Sequence, residues 1–343
     1  MKTYKKYFIT LLGISFLLLN NCIDDNIIPP LTGELDSTAE LLVYIEAHGD
    51  FANSHDAPAL VDAEDVYLNL SSYLIIDTRQ RIDFLDGHIA GSLNVTPDSL
   101  YDFLENINTT NYSKIVLVSK NGQSSAYYTC LFRLAGFENI YTMNFGLAAW
   151  NYFFADEWLG ALRDDAKIGD YTNDASPKSD YTSLPKINFA SPESSIEERL
   201  KSRIKKIISE GFNKDLQYRT DIPTLVEDYV ICYGIQELYY APSHGPGHYP
   251  GTKLFLSDPV YEFRAYKSLQ TIPADSSVLI YDANGQLGAC ITAYLRVLGY
   301  DAKTLLFGGN HILYYNRITS TAPLIPFAFD VSDIKNYPYV TGN

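Results

Sequence analysis

Two stretches about 160 residues apart carry the same pattern of apolar and polar positions. Ile115–Val118 and Val278–Tyr281 are unbroken apolar runs, each followed by a polar residue, Ser119 or Asp282. A short loop comes next, Lys120-Asn121-Gly122-Gln123-Ser124 in one copy and Ala283-Asn284-Gly285-Gln286-Leu287 in the other. Apolar positions at helical spacing then run on to Gly136-Phe137 and Gly299-Tyr300. The pattern predicts a buried strand, a tight loop around Asn-Gly and a helix that stops at glycine, in two similar domains.

The same reasoning places other elements around these copies. Ser37, with Glu40 three residues on, suits the start of a helix whose core face is Leu41, Leu42 and Ile45. Asp62 to Leu70 reads as a second helix, and Tyr73 to Asp77 as a core strand with Arg79 just beyond it. Ile196, Leu200, Ile204, Ile207 and Ile208 mark an amphipathic helix over Glu193 to Gly211, and its five Lys and Arg residues read as a solvated face. The expected division is a leader at 1–21, a tether at 22–36, a first domain at 37–155, a polar linker at 156–192 and a second domain at 193–343.

Composition changes this picture in two places. The chain has 343 residues and a formal charge of −15, which repels nucleic acid phosphates and acidic lipid, so no nucleic acid partner is expected. The start is basic, then apolar from Tyr7 to Leu19, too short a run for a membrane span and suited to a secretory signal. It ends in Leu19-Asn-Asn-Cys22, which resembles a bacterial lipobox, so Cys22 is the expected lipid attachment site and the bacterial cell envelope the expected location. Residues 23–36, rich in Pro, Asp and Asn, then form the tether. Cys130 and Cys290, on the helices after the two loops, read as buried structural thiols facing the sheets.

A strand emptying into a glycine-containing loop at a helix start turns backbone N–H groups into one concavity, which makes an anion cradle. The side chain at its floor decides the chemistry, and Ser119 and Asp282 are poor nucleophiles unaided. The Asn-Gly-Gln in each loop is read as a turn that the fold requires rather than a nest kept for a ligand.

The whole arrangement resembles a rhodanese (sulfurtransferase) domain, twice. In the first half the resemblance rests on Ile76-Asp77-Thr78-Arg79, Gly87-His88-Ile89-Ala90-Gly91-Ser92, the Ser119 loop, Gly136-Phe137 and Phe145-Gly146-Leu-Ala-Ala-Trp150. In the second half it rests on Ile231-Cys232-Tyr233-Gly234, Gly247-His248-Tyr249-Pro250-Gly251-Thr252, the Asp282 loop, Gly299-Tyr300 and Gly308-Gly309. It implies an α/β fold of two three-layer domains, each a mainly parallel sheet flanked by helices. It also implies ligands beyond the carboxyl ends of the strands, with Asp77 and Arg79 flanking the cleft.

This sequence departs from the family where sulfur chemistry resides. The family's loop cysteine carries the persulfide, and here Ser119 and Asp282 replace it; the arginine that closes the family loop is replaced by Ser124 and Leu287. A binding or scaffold module for a small anion or a protein is therefore expected. The alternative is a thiosulfate or related sulfurtransferase using Cys232, which aligns with Asp77 at a strand's carboxyl end. Asp77 and Arg79 read as an ion pair, and His88 as a structural histidine. His244 and His248 are separated by glycines and a proline that exclude helical chelate geometry, so no metal or cofactor is expected.

Overall fold

The structure is a computed structural model that describes residues 36–162, 171–181, 183–218, 229–240, 247–257, 262–311 and 328–342. The leader, Cys22, nearly all of the tether and His244 lie outside the described residues.

The apolar runs form two five-stranded parallel sheets. The first comprises β1 (Leu60–Val61), β2 (Tyr73–Asp77), β3 (Leu93–Asn94), β4 (Lys114–Val118) and β5 (Ile140–Met143), in the order β1-β5-β4-β2-β3. The second comprises β6 (Leu216–Gln217), β7 (Tyr229–Gly234), β8 (Lys253–Leu256), β9 (Ser277–Tyr281) and β10 (Asp301–Leu305), in the order β6-β10-β9-β7-β8. Counted from the first strand of each sheet, the two orders are identical. Helices flank the sheets, and β4 and β9 are buried on both faces, which is why their sequences run apolar without alternation. Register aligns the copies further: Asp77 pairs with Val118 and Cys232 with Tyr281, so each stands beside the residue that precedes a loop.

Both loops are built alike. Gly122 and Gly285 take φ of 88° and 87° at the starts of helices Gln123–Leu134 and Gln286–Val297. Asn121 Oδ1 accepts from Gln123 N at 3.1 Å, and Asn284 Oδ1 from Gln286 N at 2.9 Å. These turns within the loop account for the Asn of the repeated Asn-Gly.

The glycine has a second reason to be there. The two loop helices pack against each other across the seam between the domains, and each sends its first side chain into the other domain's loop. Gln123 Nε2 donates to Gly285 O and Leu305 O, both at 3.1 Å, while its Oε1 accepts from Phe307 N at 2.8 Å. Gln286 does the mirror-image task, donating to Gly122 O at 3.3 Å and Met143 O at 3.4 Å and accepting from Phe145 N at 2.9 Å. A Cβ on Gly122 would sit 2.6 Å from Gln286 Nε2, and one on Gly285 would collide with Gln123 Nε2. Phe145 and Phe307 hold left-handed φ of 56° and 61°, a costly conformation for large side chains, and the opposite domain's glutamine pins each.

Three features depart from the expectations. Cys130 and Cys290 are buried, but they meet each other across the seam, and burial with this contact pushes the Cys130 thiol up. Helix Ile196–Glu210 buries Leu200, Ile204, Ile207 and Ile208, yet its basic face is not simply solvated. Arg199 pairs with Glu40 at 2.7 Å, Lys205 with Asp102 at 2.8 Å and Lys201 with Glu105, while Arg203 Nη2 donates to Arg296 O at 2.6 Å, at the end of the second loop helix.

Segments at the expected domain edges also make contacts that the apolar pattern does not foretell. Asp156–Ala161, at the start of the expected linker, is a helix whose Trp158 is fully buried against the first domain and donates from Nε1 to Asn121 O at 3.1 Å. Residues 171–181 and 183–190 form neither helix nor strand and touch both halves through Thr38 Oγ1 to Pro185 O and Tyr181 N to Gln270 O. Residues 329–342, expected in the second domain, strap the first: Lys335 N bonds Ala149 O, Trp150 Nε1 bonds Pro338 O, and Val340 bridges His88. Apolar packing fixes this strap, with Phe329 stacked on Trp158 and Tyr337 on Tyr67.

Replacing Gln123 or Gln286 with Ala removes the glutamine oxygen that accepts from the buried Phe307 or Phe145 N–H, so each change is expected to cost about 1–3 kcal/mol. Urea unfolding of the two single variants and the double variant measures this. Stabilities unchanged in all three would show that the reciprocal bonds contribute nothing.

Candidate functional site

Each loop opens onto a cavity whose opposite wall comes from the other domain. The first, about 550 Å³, has Ser119, Lys120, Asn121 and Ser124 on one side and Phe212, Leu216, Tyr218 and Phe307 on the other. The second, about 790 Å³, has Asp282, Ala283, Asn284 and Leu287 facing the 55–60 segment and Tyr141. The facing segments correspond as well, since 212–218 leads into and forms β6 as 55–60 leads into β1. The sites are thus two versions of one design at the carboxyl ends of β4 and β9.

At the first floor, Ser119 Oγ accepts from Gly122 N at 3.1 Å and lies 3.0 Å from Ser125 Oγ. Ser125 donates in turn to Gly122 O at 3.1 Å and accepts from Thr142 Oγ1 at 2.8 Å. The serine's neighbour is another hydroxyl rather than a base, so this arrangement gives it no activation as a nucleophile. Lys120 faces away from an anion's needs, paired with Glu157 at 3.0 Å and Asp156 at 3.3 Å, and Glu157 also accepts from Asn121 Nδ2. Arg79 lines the same cavity, but its guanidinium grips Asp77 through Nε at 3.0 Å and Nη2 at 2.7 Å, donates to Gly87 O and lies over the Phe154 ring. Asp77 and Arg79 form a buried fork that positions the segment after β2. His88 bonds Phe84 O through Nδ1 at 2.8 Å and stacks on the Phe84 ring, a structural placement.

At the second floor the carboxylate itself sits among the loop amides. Gly285 N donates to Asp282 Oδ1 at 2.7 Å and Leu287 N to Oδ2 at 3.2 Å. Burial raises the Asp282 carboxyl to about 6, and the amide bonds from Gly285, Gly288, Asn284 and Leu287 only partly offset that burial. Ser124 lines the first cavity and Leu287 the second. Cys232 is fully buried in an apolar cluster with Val230, Leu238, Leu279 and Tyr281, and Tyr233 and Gly234, not the thiol, reach the cavity. At its register position the Cys232 side chain thus sits in the core and not in the cleft that the sulfurtransferase alternative would need.

Several site residues carried no local signal. Asp156 and Glu157 fell in the polar linker, and His55 and Asp56 in an unassigned stretch between helices. The repeated Phe-Gly at 145–146 and 307–308 did carry one. Gly146 and Gly308 lie against the loop backbones, where a Cβ on Gly308 would be 2.5 Å from Asp282 O. Among the described residues, no group of three or more His, Cys, Asp or Glu could hold a metal.

The raised Asp282 pKa sets a pH dependence with a definite sign. The folded state holds this proton more tightly than the unfolded chain, so stability from this group is fully present below the unfolded pKa and is lost as pH rises through about 6. Between pH 5 and pH 7 the loss is about 1 kcal/mol. Asp282→Asn is expected to flatten that part of the stability profile in chemical denaturation, and equal slopes for both proteins would refute the assignment.

Parts of the chain are similar to known proteins. A family model described as "Rhodanese-like domain" matches residues 62–152. The chain is 29% identical over 98 residues to the "Uncharacterized protein YibN" of Escherichia coli (strain K12), a match covering 28% of this chain and 62% of that protein. The same values hold for its counterpart in Escherichia coli O6:H1. Among solved structures, a rhodanese-related protein from Thermoplasma volcanium is 21% identical, covering 28% of this chain and 90% of that one with a TM-score of 0.24. A thiosulfate sulfurtransferase from Pseudomonas aeruginosa is 12% identical, covering 78% of this chain and 45% of that one with a TM-score of 0.28. Residues 62–152 are a rhodanese-like domain, and the second sheet repeats its strand order in a tandem α/β arrangement.

Proposed function

We propose that this protein is an exported module, lipid-anchored through Cys22 in a bacterial cell envelope, that binds rather than transfers sulfur. The observation that carries the reading is that the chain's own atoms occupy the anion seat of each loop. Ser119 Oγ takes the Gly122 amide, and the Asp282 carboxylate takes those of Gly285 and Leu287. A persulfide-bearing thiolate needs those donors and a sulfur atom to carry. Neither floor supplies the sulfur, and the thiol aligned with the cleft strand, Cys232, is buried. What remains is two formed, two-walled cavities suited to holding a ligand or the side chain of a partner.

Incubated with thiosulfate and cyanide, the purified protein is expected to form thiocyanate no faster than buffer, and Cys232→Ala to change nothing. Turnover by the wild-type chain that Cys232→Ala abolishes would overturn the reading in favour of an unconventional sulfurtransferase.

The anchor is tested separately. In a bacterial host, Cys22→Ser is expected to move the protein from the membrane fraction to the soluble fraction and to abolish incorporation of labelled palmitate. A Cys22→Ser protein that stays with the membrane and keeps its label would refute the attachment site.

A further inference from the structure

The two cavities share a design but not a charge. Among the described residues, the first carries Arg79 and Lys120 against Asp156 and Glu157, so that lining is balanced. In the second, the described lining residues include Asp56 and Asp282 but neither Lys nor Arg. Arg133 approaches it only behind Asp56, at 3.5 Å, and is spread over the Phe51 and Tyr141 rings.

The donors that would receive an anion in the second cavity already serve the Asp282 carboxylate. An incoming anion would meet a buried like charge that already holds the loop amides of Gly285 and Leu287, with His55 the one basic side chain among the described lining residues, and in a partly enclosed, low-dielectric space that repulsion is strong. A cation meets the reverse. It keeps the carboxylate ionised where burial alone opposes ionisation, and the walls add the rings of Tyr141 and Tyr233 and the side chains of Ile235, Leu238 and Leu287. At about 790 Å³ the space exceeds an inorganic ion and suits a small organic molecule.

We infer that the second cavity binds an organic cation, an ammonium group carried on an apolar or aromatic body, with Asp282 at its charged end. This deepens the binding reading above and rests on it. The Asp282 substitution is thus a change of ligand charge rather than a loss of use, and the first cavity, with its balanced lining, does not share the preference.

Three probes of nearly one shape test this by titration calorimetry on the full chain: tyramine (cationic), tyrosol (neutral) and 4-hydroxyphenylacetate (anionic). Tyramine is expected to bind at least tenfold more tightly than tyrosol, with the anion weaker than both. Asp282→Asn is expected to erase the tyramine preference. Leu287→Trp, which fills the cavity from its wall and leaves the floor in place, is expected to abolish tyramine binding in a protein whose circular dichroism is unchanged. Binding of the anion as tight as that of tyramine, no tyramine binding at millimolar concentration, or a preference surviving both substitutions overturns the inference. Thiocyanate formation by the wild-type chain would instead overturn the underlying binding reading, so the two failures are told apart.

Discussion

The two domains hold each other's loops in shape. Gln123 and Gln286 are the first residues of their helices, and each places its amide against three backbone groups of the opposite loop region, accepting from the N–H of Phe307 or Phe145 and adding a second donor to two carbonyls. The left-handed conformations at Phe145 and Phe307, the close approach of Gly146 and Gly308 to the loops, and the packing of the two helices all depend on that exchange. A strained backbone persists only where its surroundings over-determine it, and here the surroundings belong to the other half of the chain.

This reciprocity separates the scaffold from the chemistry. The strands, turns and cross-domain bonds are duplicated almost atom for atom, while the floors differ: a hydroxyl in one, a carboxylate in the other. Such divergence is tolerated because the floor side chain needs only to accept the loop amides, which oxygen does from either group. Geometry inherited by both copies therefore says little about what each cavity holds, and the charge at the floor says more.

Much of the scaffold was legible because it rests on local rules. Unbroken apolar runs gave β4 and β9, Asn-Gly gave the loops, and Ser37 with the spacing of Leu41, Leu42 and Ile45 gave the first helix. The candidate site was legible at its floors and not at its far walls. Nothing local marks His55, Tyr218 or Glu157 as cavity residues, because their positions follow from how two halves meet. Gln123 and Gln286 were visible as loop members, yet their bonds span more than 140 residues. Trp158 and the 329–342 strap escaped for a related reason: short segments rich in Asp, Tyr, Pro and Asn lack the periodicity that betrays a buried face.

That strap has a consequence for the order in which the molecule is made. Trp150, Trp158 and His88 all belong to the first half, but each finds a stacking or bonding partner in residues 329–342, which follow the whole second sheet in the chain. The leading half thus emerges with an aromatic face still open and cannot close it until the strap has been made. Burial of that face therefore depends on a contact that spans both sheets in sequence, and a fragment cut before the strap would leave Trp150 and Trp158 without it.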